Sequence, residues 1–230
     1  MKKVSIVIPV YNEEKTLSEV LNAVDNASFA NMEKEILLID DGSTDGTRAL
    51  LETFKDRYTV IFKDKNEGKG SAVRVGIENA TGDIIVIQDA DLEYDPADYT
   101  ALLEIILADK ADVVYGNRFC DKNKSKDFLF HHFWGNKLIT LAADIIYNAR
   151  LNDVETCYKA FKASCMKDIR LKENTFAFDP EITAKLLKRK FRFAEAPVSY
   201  KGRGFDEGKK ISWKDGFAAL KALLKYRFTE

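Results

Sequence analysis

A chain of 230 residues, 46% of them hydrophobic, has enough apolar matter for one α/β domain with a substantial core. Its 36 basic and 37 acidic residues leave a net charge of −1, so no global basic field argues for nucleic acid as a partner. No apolar run approaches the about 18 residues of a membrane span, and three cysteines, Cys120, Cys157 and Cys165, without C-x-x-C spacing, read as packed free thiols in a reducing compartment.

In chain order, Val4 to Pro9 reads as a strand, and Asn12 is placed to cap a helix from Glu13 to about Asn26. The start, Met1-Lys2-Lys3 before that strand, is not that of a signal peptide, which makes a cytoplasmic location the expectation. Glu35 to Ile39 is a second strand that ends in D-D-G-S-T-D-G-T, where Ser43 or Thr44 can cap the next helix. Tyr58 to Phe62 is a third strand, followed by Asn66-Glu67-Gly68-Lys69-Gly70 and a helix through Ala80. Ile84 to Ile87, a continuous β-branched run, suits a strand buried on both faces, and it stops on Gln88-Asp89-Ala90-Asp91-Leu92-Glu93. Asp95 and Pro96 then make an N-cap and first helical residue for a helix to Ala108, with a strand at Asp112 to Gly116 beyond it.

Strands and helices that alternate with short turns predict a Rossmann-like, doubly wound, mostly parallel sheet with helices on both faces. The second half is less regular. Phe128 to Tyr147 carries apolar residues all round a helix, Glu173 to Arg189 holds a helix with Pro180 in its first turn, and Arg192 to Tyr200 reads as a strand. A glycine-rich basic loop, Lys201 to Lys210, leads to a last helix from about Ser212 to Tyr226. On that helix Trp213, Phe217, Leu220 and Leu224 form one stripe, with Lys214, Lys221 and Lys225 beside it. This helix either packs on the domain with a solvated basic edge or lies on an anionic membrane surface. The whole of 1–230 is expected to form one domain, with a nucleotide-binding half (1–118), an acceptor half and loop (119–210) and a C-terminal amphipathic helix (211–230).

Ligands of such sheets bind outside the carboxyl ends of the strands. Pro9-Tyr11-Glu13, Asp40-Asp41, Asn66-Lys69, Asp89-Asp91 and Arg118 all fall at those ends. Carboxylates at i and i+2 of an extended segment share one side, and Asp89 and Asp91 are hard oxygen ligands suited to Mg²⁺ or Mn²⁺ against a phosphate. Aspartates such as Asp41 can accept from a base or ribose, Tyr11 can contact a base through its ring, and Arg118, Arg203 and Lys209 can neutralise a diphosphate. There is no G-x-G-x-x-G after the first strand and no G-x-x-x-x-G-K-[ST], which argues against a dinucleotide enzyme and a P-loop ATPase.

The motifs V-S-I-V-I-P-V-Y-N-E-E (4–14), I-D-D-G-S-T-D-G-T (39–47), Q-D-A-D-L-E-Y (88–94), G-N-R-F (116–119) and E-T-C-Y-K-A-F (155–161) resemble those of a family 2 glycosyltransferase. The subgroup is similar to dolichyl-phosphate mannose synthase and bacterial polyprenyl-phosphate glycosyltransferases. The resemblance implies a GT-A fold, a GDP- or UDP-linked sugar donor, Mg²⁺ or Mn²⁺, inversion at the anomeric carbon, and a polyprenyl phosphate acceptor at a membrane surface. It places Pro9, Tyr11, Glu13, Ile39 and Asp41 around the nucleotide, and Asp89, Ala90 and Asp91 at the ribose, diphosphate and metal. Arg118, Arg203 and Lys209 match phosphate-contacting positions, and Glu93 stands where the subgroup usually has a metal-proximal Gln. His131 or His132 would take the place of the basic residue that meets the lipid phosphate.

Two readings of the acceptor stay open. A lipid phosphate is already ionised and needs no general base, whereas a sugar hydroxyl needs one, for which Asp153 and Glu155 are the candidates. Asp91, Arg118 and Asp153 are the candidate catalytic residues. A non-catalytic nucleotide-sugar-binding subunit is a third, weaker reading.

Overall fold

The computed structural model describes residues 2–29, 31–120, 130–202 and 213–229, with the backbone alone at 130–132 and 213–215. In chain order the elements are β1 (Lys3–Val10), α1 (Leu17–Asn26), β2 (Glu33–Asp40), α2 (Thr47–Glu52), β3 (Thr59–Phe62), α3 (Lys69–Asn79), β4 (Ile84–Ile87) and α4 (Tyr99–Leu107). Then follow β5 (Val113–Asn117), α5 (Phe130–Tyr147), β6 (Lys159–Lys162), α6 (Phe178–Lys188), β7 (Phe193–Pro197) and α7 (Trp213–Phe228). Among the described residues the strands form one seven-stranded sheet in the order β3-β2-β1-β4-β6-β5-β7.

The pairs β1–β2, β2–β3, β1–β4 and β5–β7 are parallel. The sheet is covered on both faces, which is why β4, Ile84–Ile87, is apolar and buried throughout and does not alternate. Side chains of one strand divide between the two layers. Ile84 and Val86 pack with α1 and α4, while Ile85 and Ile87 pack with α3 and α6. A third cluster joins α5, α6 and α7 through Ile139, Ala143, Ala184, Ala219 and Leu223.

One strand was not anticipated. β6 runs antiparallel to both β4 and β5, with Ile87 and Tyr115 both opposite Lys159. Its four residues, K-A-F-K, lie inside a motif with chemical content, and nothing in so short a run separates a buried strand from a loop. The consequence for function is direct. An antiparallel strand begins where its parallel neighbours end, so the segment leading into β6 is delivered to the carboxyl rim.

The chain runs outward from β1 to β3, then returns to place β4 on the other flank of β1. That reversal opens a crevice beyond the ends of β1 and β4, the usual ligand site of such sheets.

Two predicted caps are corrected. Asn12 does not cap α1; it sits at a positive φ of 55°, and its Oδ1 accepts from the Thr44 N–H at 2.8 Å, tying the β1 loop to the β2 loop. The helix itself begins four residues later than expected, at Leu17. Neither Ser43 nor Thr44 caps α2, because Asp45 Oδ1 accepts from the Thr47 N–H instead. Asp95 does cap, accepting from the Ala97 N–H at 2.9 Å with Pro96 behind it.

Candidate active site at the strand rim

The rim is assembled by side chains that tie neighbouring loops together. After β1, the Asn12 N–H donates to Ser43 Oγ and the Glu13 N–H to Thr47 Oγ1. Thr16 Oγ1 bonds both Glu13 Oε2 and the Ala90 carbonyl, which joins the β1 loop to the β4 loop. Pro9, Tyr11, Glu13, Ile39, Asp41, Asp89, Ala90 and Asp91 are therefore brought to one edge, with Pro9, Tyr11 and Glu13 half-buried and Ile39 fully enclosed.

Asp41 organises the wall behind them. Its carboxylate accepts from Lys63 Nζ and from the N–H groups of Glu67 and Gly68, the latter at 2.7 Å. A carboxylate has about four lone-pair sites, so Asp41 keeps capacity for a ligand donor. Gly68 is needed where it stands: its φ is 103°, and a Cβ there would meet the Asn174 carbonyl oxygen at 2.4 Å.

Asp89 is buried and pairs with Lys69, Nζ to Oδ1 at 2.6 Å, while the same Nζ lies 3.1 Å from Cys157 Sγ. Burial pushes the Asp89 carboxyl up, but Lys69 beside it more than offsets this and holds it below the ordinary carboxylate value. Burial also keeps Cys157 a neutral thiol. Of the other two cysteines, Cys165 is buried as expected, and Cys120 is exposed.

The three residues expected to hold a metal do not converge. Asp89 turns to Lys69, Asp91 Oδ1 accepts from the Glu93 N–H, and Glu93 Oε2 accepts from the Tyr200 hydroxyl at 2.9 Å. Leu92 between them is in the left-handed region at φ 61°, so the segment is not the extended run that would line up all three. Among the described residues no three His, Cys, Asp or Glu side chains form a metal cluster. The chemistry of the remaining set still fits Mg²⁺ or Mn²⁺. Such ions are commonly held by one or two carboxylates with substrate phosphates completing the shell, and Asp89 and Asp91 supply that pair.

Arg118, at the end of β5, is buried and clamped. Its Nε and a terminal nitrogen each bond an Asp153 oxygen at 2.7 Å, its backbone N–H bonds the same carboxylate, and Asn136 Nδ2 bonds Oδ1 at 2.7 Å. The guanidinium also faces the Tyr200 ring, 5.1 Å from its centroid. Asp153 is fully enclosed with both oxygens engaged, an arrangement for fixing Arg118 in place. Deeper in, Lys159 Nζ pairs with Asp179 at 2.6 Å and with the Thr156 carbonyl.

Glu155 is different. It lies among Asp179, Lys159, Arg118 and Asp153, and burial together with the Asp179 charge pushes its carboxyl up to about 7. Among the described residues, the buried side-chain oxygens that lack a hydrogen-bond partner are Asp40 Oδ2, Glu155 Oε1 and Thr156 Oγ1, and all three stand at this rim.

Of the remaining sequence-predicted residues, Arg203 and Lys209 lie outside the described residues, as do the side chains of His131 and His132. Sequence reasoning placed Lys69 at the rim without a role and missed Lys63 and Asn136 as members of the site. Lys69 follows the Asn66-Glu67-Gly68 turn at a strand end and was legible only as a rim position. Nothing distinguishes Lys63 or Asn136 from solvated residues until the fold is known.

Away from the rim, α5 and α7 pack together, with the Tyr147 hydroxyl donating to the Leu223 carbonyl at 2.7 Å. Their outward faces carry Trp134, Leu138, Leu141 and Ile145 on α5 and Phe217, Leu224 and Phe228 on α7, all more than half exposed. No helix among the described residues is long and apolar enough to cross a membrane.

Comparison with known proteins adds the following. Residues 5–170 match the sequence profile of Glycosyl transferase family 2. The chain is 30% identical over 216 residues to the dolichol-phosphate mannosyltransferase of Pyrococcus furiosus, covering 90% of this chain and 59% of that protein. It is 31% identical over 214 residues to the undecaprenyl-phosphate 4-deoxy-4-formamido-L-arabinose transferase of Klebsiella pneumoniae, covering 91% of this chain and 63% of that one. This chain thus spans about three fifths of the length of these curated relatives. Among solved structures, glucosyl-3-phosphoglycerate synthase from Mycobacterium tuberculosis, crystallised with Mn²⁺, UDP and phosphoglyceric acid, superposes with a TM-score of 0.73 at 16% identity, over 100% of this chain and 80% of that one.

Proposed function

Since the chain belongs to glycosyltransferase family 2 and has the GT-A fold, we propose that it moves one sugar, with inversion, from a nucleotide-diphosphate sugar to a polyprenyl phosphate. The observation that carries this reading is the rim itself. The buried Asp89 carboxylate, paired with Lys69, and Arg118, clamped by Asp153, both stand at the carboxyl ends of the sheet's strands, where such folds bind ligands, and this supports binding of a nucleoside diphosphate there.

In this reading the nucleoside occupies the β1–β2 edge, against Pro9, Tyr11, Glu13, Ile39 and Asp41. Asp91, with Asp89, holds the divalent ion, which when bound neutralises charge on the departing diphosphate. Arg118 supplies fixed positive charge to the same leaving oxygens, and Asp153 keeps its guanidinium oriented so that little reorganisation is needed during transfer. Arg203 and Lys209 add phosphate contacts. The attacking group is the acceptor phosphate, which is mostly ionised at neutral pH and requires no base. The names of the relatives and the exposed apolar face of α5 and α7 support a lipid-borne acceptor and docking on an anionic membrane surface, near which Lys221 is also exposed.

Incubation with radiolabelled GDP-mannose, UDP-glucose or related donors, Mg²⁺ and polyprenyl phosphate tests the proposal. The expected result is label in the organic phase, released by mild acid. Transfer to a saccharide with none to the lipid would reject it. That second reading has one observation in its favour, the Glu155 carboxyl near 7, the range suited to a general base at neutral pH.

A further inference from the structure

The segment 153–158 feeds β6, whose first residue, Lys159, stands opposite the last residue of β4 and the middle of β5. Glu155 is thus carried to the same rim as Asp89 and Arg118. The two cations near it favour its charged form, but each is committed to another carboxylate. Lys159 is already paired with Asp179, and Arg118 with Asp153 in a two-pronged bridge. Glu155 Oε1 is enclosed, with no hydrogen-bond partner among the described residues.

Leaving a buried acceptor without a donor costs stability, so such a group needs an explanation. The chemistry of the surroundings narrows what could satisfy it. A phosphate would be repelled by the carboxyl and drawn to Arg118. A second metal ion would meet the positive charges of Lys159 and Arg118. A hydroxyl suits the position, because it donates one hydrogen bond to Oε1 and brings no charge between the two ion pairs. The nucleoside is assigned to the β1–β2 edge, and the sugar beyond the diphosphate is the hydroxyl-bearing part that reaches the β4–β6 side.

We infer that Glu155 is a specificity-determining residue that accepts a hydrogen bond from a ring hydroxyl of the donor sugar. This rests on the donor-site reading above. Burial and the neighbouring Asp179 of α6 and Asp153 raise the Glu155 carboxyl, while Lys159 of β6 and Arg118 after β5 lower it, and the value of about 7 leaves a large ionised fraction at neutral pH to act as acceptor.

The test compares UDP with UDP-glucose, and GDP with GDP-mannose, by calorimetry in Mg²⁺ for the wild type, Glu155→Gln and Glu155→Ala. Glu155→Gln keeps the side-chain volume and guards against a packing defect. The nucleoside diphosphate should bind all three proteins within about twofold. The matching nucleotide sugar should lose about tenfold or more in Glu155→Ala, as expected for one hydrogen bond to a charged group. A donor with the contacted hydroxyl replaced by hydrogen should bind wild type and Glu155→Ala equally. Unchanged nucleotide-sugar affinity in both variants, with or without a lost transfer rate, overturns the inference while nucleoside diphosphate binding stands. Absence of nucleoside diphosphate binding to the wild type overturns the donor-site reading and this inference with it.

Discussion

Replacing Glu155 with Gln should change how stability depends on pH, and the size of the change follows from its surroundings. Folding lifts this carboxyl from an ordinary 4.5 to about 7. The folded protein therefore keeps a proton that the unfolded chain has already released across that interval, and stability falls as pH rises through it. The contribution is largest below about pH 4.5 and is lost by the time pH passes 7. For a single site with these two values, the folded state loses on the order of 2–3 kcal/mol between pH 5 and pH 8, at about 1.4 kcal/mol per pH unit where the two states differ by a full proton. Glutamine does not titrate, so the stability difference between variant and wild type should move in favour of the variant by about that amount over the same interval. Guanidinium unfolding of both proteins at pH 5, 6, 7 and 8 reads this directly. Parallel stability–pH curves would show that Glu155 titrates normally, and would refute the account of its enclosure among Asp179 and the two occupied ion pairs.

Asp153→Asn should leave the Arg118 guanidinium buried without its carboxylate and lower unfolding free energy by about 3–5 kcal/mol, measured by guanidinium denaturation. A fully stable variant with a lost transfer rate would instead restore Asp153 as a proton acceptor. Gly68→Ala places a Cβ 2.4 Å from the Asn174 carbonyl at a φ of 103°, and should destabilise by roughly 1–3 kcal/mol in a thermal melt. Leu138→Glu and Ile145→Glu, on the exposed face of α5, should reduce co-sedimentation with anionic vesicles while leaving unfolding free energy within about 0.5 kcal/mol of wild type.

What the sequence disclosed and what it withheld divide along physical lines. The parallel strands announced themselves as apolar β-branched runs because both faces of the sheet are covered, and their polar ends marked the rim. Arg118 could be placed at a strand end from its position after V-V-Y-G-N. Its clamp to Asp153 could not, because the two are 35 residues apart and meet only when β6 inserts between β4 and β5. The same insertion hid the pairing of Lys159 with Asp179 and the enclosure of Glu155 Oε1, of which its sequence neighbours say nothing. Period-two alternation suggested that Asp89 and Asp91 share a side, and the resemblance added Glu93 beside them. The left-handed turn at Leu92 takes Glu93 out of that run, and Lys69 and Tyr200, distant in sequence, bond Asp89 and Glu93. Caps were misjudged for a related reason: Asn12 had a better partner in the next loop than in its own helix.

The central claim is that the rim at the ends of β1, β2 and β4 binds a nucleoside diphosphate with its ion. A crystal grown with Mn²⁺ and UDP or GDP, with data collected at a wavelength where manganese scatters anomalously, tests this most directly. The account predicts an anomalous peak within coordination distance of an Asp91 oxygen, with the diphosphate between it and Arg118 and the base toward Asp41. A nucleotide bound elsewhere, as in the basic cavity lined by Arg170, Lys172, Lys185, Lys188 and Arg189, with no manganese beside Asp91, would contradict it.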